Sequence, residues 1–274
     1  ENMQASCFFF LLWWSVYVVR AREECVYHLH QPKCGGTFVW RLLRNRFCVD
    51  ENEICTRNSL RPPPSCKCVV NPITKESKIQ AALRAGTYRF ISAHSLAQFS
   101  SRCHLAVWFR EPNARVISHW GYFRYRRGFN LTSLATLLEN KPPRWANNQQ
   151  WSLFMQASVK GSPTQNDVNA ATTKLSTTAF VGILNDMDAS LCLFASTFLS
   201  STQTLDLCGT NRKHERQNMA LRKSPKRDQR LETLLTKHNK FDATLFDLAT
   251  AEFKKRASNF LPAAALLRSS AVSE

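Results

Sequence analysis

Carboxylates are scarce in this chain of 274 residues: 20 Asp+Glu stand against 37 Lys+Arg, a net charge of +17. A field of that sign favours anionic partners, whether nucleic acid, anionic polysaccharide, nucleotide or membrane surface. It leaves the fold open. None of the ten cysteines belongs to a CxxC pair, and the closest spacing is Cys66-Lys-Cys68. There is therefore no zinc pattern, and no metal is expected. A zinc finger, an RNP-type aromatic sheet motif and a basic heptad array are all missing, which sets a nucleic-acid-binding module aside despite the charge. Internal repeats and low-complexity tracts are missing too.

What is present is ordinary in bulk: 44% hydrophobic and 21% charged residues, in a length that buries one substantial core as one domain. Ten cysteines together with the Asn130-Leu-Thr sequon fit an oxidising, glycosylating compartment. Disulfides are favoured over buried free thiols. Cys48, Cys55, Cys66 and Cys68 form one candidate cluster, and Cys192 with Cys208 a separate pair. The chain opens on Glu1, so an upstream piece is expected. Residues 7–19, CFFFLLWWSVYVV, are thirteen residues without a charge, short of the roughly 20 that a membrane span needs. A truncated signal anchor is the preferred reading, with a signal-peptide core and a packed helix as alternatives. The expected organisation is an anchor and short stem over residues 1–24, a catalytic domain over 25–260 and a tail over 261–274.

Four short runs read as strands: residues 25–30, 88–93, 104–109 and 179–184. The third, HLAVWF, is almost continuously apolar, as a buried parallel strand should be. Helices are expected between them. Residues 75–85 form one. Residues 111–126 form another, with Pro112 in the first turn and Val116, Trp120 and Phe123 as its apolar stripe. A further helix is capped by Asp186 and carries Met187, Leu191, Phe194 and Phe198. Residues 231–258 are mainly helical, with a break near 239–242. Strands alternating with helices argue for an α/β domain with a mostly parallel central sheet flanked by helices.

The stretch HQPKCGGTF, residues 30–38, joins the first strand to a helical run. Paired glycines turn the backbone tightly and let a ligand approach it. The amides that open the next helix suit an anion, usually a phosphate. The nucleoside-triphosphate loop places its lysine after the second glycine. Here Lys33 precedes Gly35 and Gly36, and no magnesium carboxylate accompanies it, which argues against a nucleotide kinase. Ligands of open α/β sheets sit beyond the carboxyl ends of strands. Three such ends carry candidates: the Lys33 loop, Ala93-His94-Ser95, and Arg110-Glu111-Pro112 with Ser118 on the following helix. Arg115, Ser118 and Tyr122 share one face of that helix. Arg110 at a strand end and the Ser118 hydroxyl make a second anion site, since a guanidinium fork matches phosphate. Two anion sites with a histidine between them imply a ligand with phosphates at two ends.

These residues resemble the Golgi carbohydrate sulfotransferases. Residues 30–37 look like their HxPKxGGT loop, and FREPNARVISHW like their second signature, LRdPvxRxxSxY. ISAHSLAQF is similar to the segment carrying the base histidine in heparan sulfate 2-O- and 6-O-sulfotransferases. WANNQQWSLFM resembles the ANNRQxRML segment of the 6-O enzymes. FVGILNDMDASLCLF and NKFDATLFDLATAEFKKR are similar to the closing pattern. The resemblance spans roughly residues 26–256, with the motifs in order. It implies a P-loop-like sulfotransferase fold and transfer of a sulfuryl group from 3′-phosphoadenosine 5′-phosphosulfate to a hydroxyl of a glycan or proteoglycan chain. It implies a type II membrane protein of the Golgi, with its catalytic domain in the lumen. Lys33 and the amides of Cys34, Gly35, Gly36 and Thr37 would hold the 5′-phosphosulfate, with the Thr37 hydroxyl as a further donor. Arg110 and Ser118 would hold the 3′-phosphate. Lys33 would neutralise the leaving oxygen, and His94 would take the proton of the acceptor hydroxyl. Cys34 stands where Thr is commoner, and Asn113 and Trp120 also depart from the second signature.

Plainer readings stand beside these. His28 reads as a strand residue facing its neighbours, and His30 as a residue shaping the turn. Asn147 and Asn148 read either as a helix cap or as a donor or acceptor contact. Glu111 is the nearest rival base, unless it pairs with Arg110. The basic stretch carrying Arg212, Lys213, Arg216, Arg222, Lys223, Lys226 and Arg227 reads as a solvated surface or as a polyanion contact. A catalytically inactive relative, or a basic nucleotide- or polyanion-binding protein, is the alternative to the enzyme.

Overall fold

The computed structural model describes residues 25–35, 39, 90–94, 96, 99, 103–126, 133–199, 208 and 228–270. The segment 7–19, the helix expected over 75–85, Cys48, Cys55, Cys66, Cys68, Asn130 and the basic stretch from 212 to 227 lie outside them. Among the described residues no helix is long and apolar enough to cross a membrane.

Four parallel strands form the central sheet: β1 (Cys25–Leu29), β2 (Phe90–Ala93), β3 (Cys103–Phe109) and β4 (Phe180–Ile183). Their spatial order is β2-β1-β3-β4. From β1 the chain places β2 on one side and β3 on the other, so the order reverses between β1 and β3. In such sheets the crevice beyond the carboxyl ends at the reversal is where ligands bind. The strands are short and apolar because helices cover the sheet, and Leu105 through Phe109 are all buried. Trp108 pairs with Gly182 across β3 and β4. A Cβ at position 182 would lie 2.7 Å from the Trp108 ring, so only glycine leaves room for the indole.

Cys25 and Cys103 are register partners at the first positions of β1 and β3, with Cα atoms 4.5 Å apart, and they are bonded. The expected Cys192–Cys208 bond is present as well. Cys34 is a buried free thiol.

Among the described residues the α-helices are α1 (Pro112–Arg126), α2 (Leu134–Asn140), α3 (Gln149–Met155), α4 (Gln165–Thr177), α5 (Met187–Phe198), α6 (Gln229–His238) and α7 (Lys240–Ser270). The Glu111 carboxylate accepts from the amides of Asn113 and Ala114, 2.8 and 2.6 Å away, and so caps α1. Thr164 and Asp167 form a capping box on α4. Asp186 stands at the expected N-cap of α5, after a 3₁₀ turn over Leu184–Asp186, yet its side chain makes no cap bond. The Ser190 hydroxyl instead accepts from the Ile183 amide and donates to its carbonyl. The expected break near 239–242 falls at Asn239, between α6 and α7. α5 and α7 pack on β4. Val116 and Trp120 of α1 bury themselves in a second apolar cluster with Leu134 and Leu138 of α2 and Leu231 and Leu235 of α6.

Candidate functional site

The loop after β1 is held from both sides. Its amides fold back on themselves: the Cys34 N–H donates to the Gln31 carbonyl at 3.2 Å. Lys33 adopts φ 65 and Gly35 φ 79. For a lysine this left-handed backbone costs about 1–2 kcal/mol, which the surrounding contacts must hold in place. Glycine suits this backbone at position 35, and a Cβ there would lie 2.5 Å from the Leu184 side chain, which would have to shift. Helical geometry resumes with the Val39 amide donating to the Gly35 carbonyl at 3.0 Å. Gly36, Thr37 and Ser95 lie outside the described residues.

The Lys33 ammonium sits 4.7 Å from the centre of the Tyr122 ring, a cation–π distance. Tyr122 is one turn beyond Ser118 on α1, so the Ser118–Tyr122 face of the helix is turned towards the loop. Ser118 itself is half-buried. Arg115 does not share that role. It is fully buried and pairs with Asp242 at 3.4 Å. It also donates to the Trp145 carbonyl and the Gln149 side chain, each at 2.7 Å. The helical spacing grouped it with Ser118, but its charge is consumed inside the protein.

Arg110 follows β3 and reaches back across the switch point. Its Nη1 donates to the Lys33 carbonyl at 3.0 Å. No described carboxylate comes within ion-pair distance of it; Glu111 spends both oxygens on α1. A part-buried guanidinium without a described carboxylate partner has the donor geometry to meet an external anion.

His94 follows β2, on the other side of the loop. Its Nδ1 lies 2.6 Å from the His30 carbonyl. A carbonyl only accepts, so Nδ1 carries the proton and Nε2 holds the lone pair. Burial lowers the His94 pKa, against the opposing pull of that bond. The His30 ring is 4.5 Å away, and the His28 ring continues the column, 5.6 Å from His30. His28 lies 3.0 Å from the Ser92 hydroxyl inside the sheet, as a strand residue facing its neighbour. Burial, with the nearby His94, lowers His30 to about 4. All three rings are therefore neutral near pH 7. Cys34 is equally quiet: burial pushes its thiol up to about 12. It is no nucleophile at neutral pH.

The asparagines resolve towards structure at one position. The Asn148 side chain accepts from the amides of Phe241 and Asp242, 3.0 and 3.2 Å away, at the start of α7. The Asp242 carboxylate returns the contact, accepting from the amides of Gln150 and Trp151 at the start of α3, 3.1 and 2.7 Å away. Two helices thus cap each other. Burial raises the Asp242 carboxyl above the ordinary aspartate value, while Arg115 and these amides pull the other way. The Asn147 side chain accepts from the Asn148 side chain at 3.1 Å.

Sequence reasoning passed over Gln31, Gln150 and Asp242, all buried around this edge. The available signal was the polar run Asn147 to Gln150 just before the apolar positions of α3. Among the described residues no cluster of His, Cys, Asp and Glu could hold a metal ion. Comparison of the chain with protein-family models and with curated proteins finds no match to either.

Proposed function

We propose that the protein is a sulfotransferase that moves a sulfuryl group from 3′-phosphoadenosine 5′-phosphosulfate to a glycan hydroxyl. The observation that carries this reading is the convergence of three strand ends on one sheet edge. His94 after β2, Lys33 after β1 and Arg110 after β3 follow neighbouring strands around the topological switch point. A base, a loop cation and a guanidinium with no described carboxylate partner are the parts that an anionic donor and an acceptor hydroxyl need.

In this reading the 5′-phosphosulfate lies along the loop of Lys33, Cys34, Gly35, Gly36 and Thr37. The 3′-phosphate meets Arg110 and Ser118. His94 accepts the acceptor's proton on Nε2 as its oxygen bonds to sulfur. The bond from sulfur to the bridging oxygen breaks, and Lys33 neutralises the charge that appears on that oxygen. The products are a sulfate ester and adenosine 3′,5′-bisphosphate. The Cys34 amide donates to the Gln31 carbonyl, so its use on the donor requires that bond to open. A fold of the P-loop-like sulfotransferase type, a Golgi membrane location with a lumenal catalytic domain, and an anionic glycan acceptor belong to the same proposal. The resemblance of the ordered motifs supports them.

The test is thermal stabilisation by adenosine 3′,5′-bisphosphate, compared with ATP plus magnesium and with DNA. A ligand held only by the folded state raises its stability in proportion to the logarithm of its concentration over Kd. Stabilisation by the bisphosphate alone supports the reading. A larger response to ATP with magnesium, or to DNA, refutes it.

A further inference from the structure

At Arg110 the central sheet runs out of partners. The last β1–β3 pair is Leu29 with Val107, and the last β3–β4 pair is Phe109 with Ile183. The backbone of Arg110 is nevertheless fully bonded, and by a single side chain. Gln150 accepts from the Arg110 amide on its Oε1 at 3.0 Å and donates from Nε2 to the Arg110 carbonyl at 2.8 Å. A carboxamide that pairs both groups of one residue does what a neighbouring strand would do. It extends β3 by one residue into the crevice.

The same Oε1 accepts from the Cys34 thiol at 3.2 Å, so it also touches the Lys33 loop. The Gln150 carbonyl lies 3.5 Å from the Gln31 side-chain nitrogen. Its amide is fixed by Asp242 at 3.1 Å. Gln150 is 1% exposed, so none of these bonds competes with bulk water.

We propose that Gln150 is a positioning residue: by clamping the Arg110 peptide and the Cys34 thiol together, it aims the Arg110 guanidinium at the 3′-phosphate of the donor. This rests on the donor reading given above. A fixed peptide fixes the direction in which the side chain leaves it, and Arg110 Nη1 then docks on the Lys33 carbonyl. Without the clamp the guanidinium keeps its charge and loses its aim. A mispositioned contact forfeits its gain even though the residue is present.

The experiment measures binding of adenosine 3′,5′-bisphosphate and of adenosine 5′-phosphate by calorimetry. It compares wild type, Arg110→Ala and Gln150→Met, with melting curves on each. Methionine matches the volume of glutamine and removes both bonds to Arg110. Wild type should prefer the bisphosphate by about 10- to 100-fold, as expected for a charge-assisted contact. Arg110→Ala should abolish that preference. Gln150→Met should reduce it about tenfold or more while adenosine 5′-phosphate binds nearly as before. Gln150→Asn keeps an amide but is one methylene too short to span both groups; it serves if the methionine variant fails to fold, with the same result expected. A preference that survives both substitutions overturns the proposal. So does an equal loss of affinity for both nucleotides, which marks Gln150 as merely structural. A wild type with no preference refutes the donor reading itself, and the proposal falls with it.

Discussion

Arg110 donates from Nη1 to the main-chain carbonyl of Lys33 across 3.0 Å. The bond joins residues from the ends of two adjacent strands, at the point where the strand order reverses. It sets the two proposed anion contacts at a fixed separation before any ligand arrives. Preorganised charge of this kind needs no rearrangement when the reaction begins.

Lys33→Ala should lose transfer and keep the fold. The residue contributes an ammonium over Tyr122 and no buried core. One lost charge contact on the leaving oxygen typically costs about 10²–10³ in rate. Single-turnover rates with saturating donor check this, and a near-normal rate in the variant refutes the assignment.

Arg110→Ala should weaken donor binding more than Ser118→Ala, since charge-assisted bonds are roughly twice as strong as neutral ones. Kd values for adenosine 3′,5′-bisphosphate, measured on both variants, decide it. A serine variant that loses more than the arginine variant places the 3′-phosphate contact elsewhere.

His94→Asn should retain affinity for adenosine 3′,5′-bisphosphate and lose about 10²–10⁴ in turnover, the usual contribution of a general base. A base works in its neutral form, and burial lowers the His94 pKa. The acid limb of the pH–rate profile should therefore lie below the ordinary histidine value of about 6.5. An acid limb above that value, or full turnover in the variant, shows that the proton goes to another group.

Stability should fall in acid for a related reason. Burial and nearby cations lower His119 to about 3, and burial with His94 lowers His30 to about 4. Below pH 6.5 the unfolded chain binds protons that the folded chain refuses. Each such histidine therefore adds stability above its unfolded pKa that is lost as pH falls towards its folded one, by about 1.4 kcal/mol per pH unit. Urea titrations of wild type and His119→Gln between pH 6.5 and 4 should show the variant's slope smaller by one such increment. Parallel slopes contradict the burial of a neutral imidazole at 119.

Asp242→Ala removes a carboxylate that pairs with Arg115 and caps α3. Leaving the guanidinium buried and unpaired should cost about 3–5 kcal/mol. Asp242→Asn keeps the side-chain volume and one of the two acceptor oxygens, and should cost less. Equal losses in the two variants indicate that the charge, removed in both, carries the contribution and that the acceptor kept by asparagine adds nothing.

The sheet was legible because its strands are apolar runs bounded by polar turns, and HLAVWF matches the buried strand β3 to within one residue. The break between α6 and α7 was legible from Asn239, a poor helix interior residue next to good ones. The candidate strand ends were legible for the same reason as the strands. The Cys25–Cys103 bond was not, because it depends on which strands are neighbours and in what register. Arg115 illustrates the limit of periodicity. Spacing put it on the face of Ser118 and Tyr122, while a partner on a helix about 130 residues away decided its role. Asn148, Gln150 and Asp242 are similar: each bonds a backbone group distant in sequence, and local pattern carries no record of that.

Transfer of label from 3′-phosphoadenosine 5′-phospho[³⁵S]sulfate to a panel of glycans, run with wild type and with His94→Asn, is the most direct test. The account predicts labelled glycan in the wild-type reaction, chemically mapped to a sugar hydroxyl, and little or none with the variant. Label that stays on the donor with every glycan, or that moves equally well with both proteins, contradicts it.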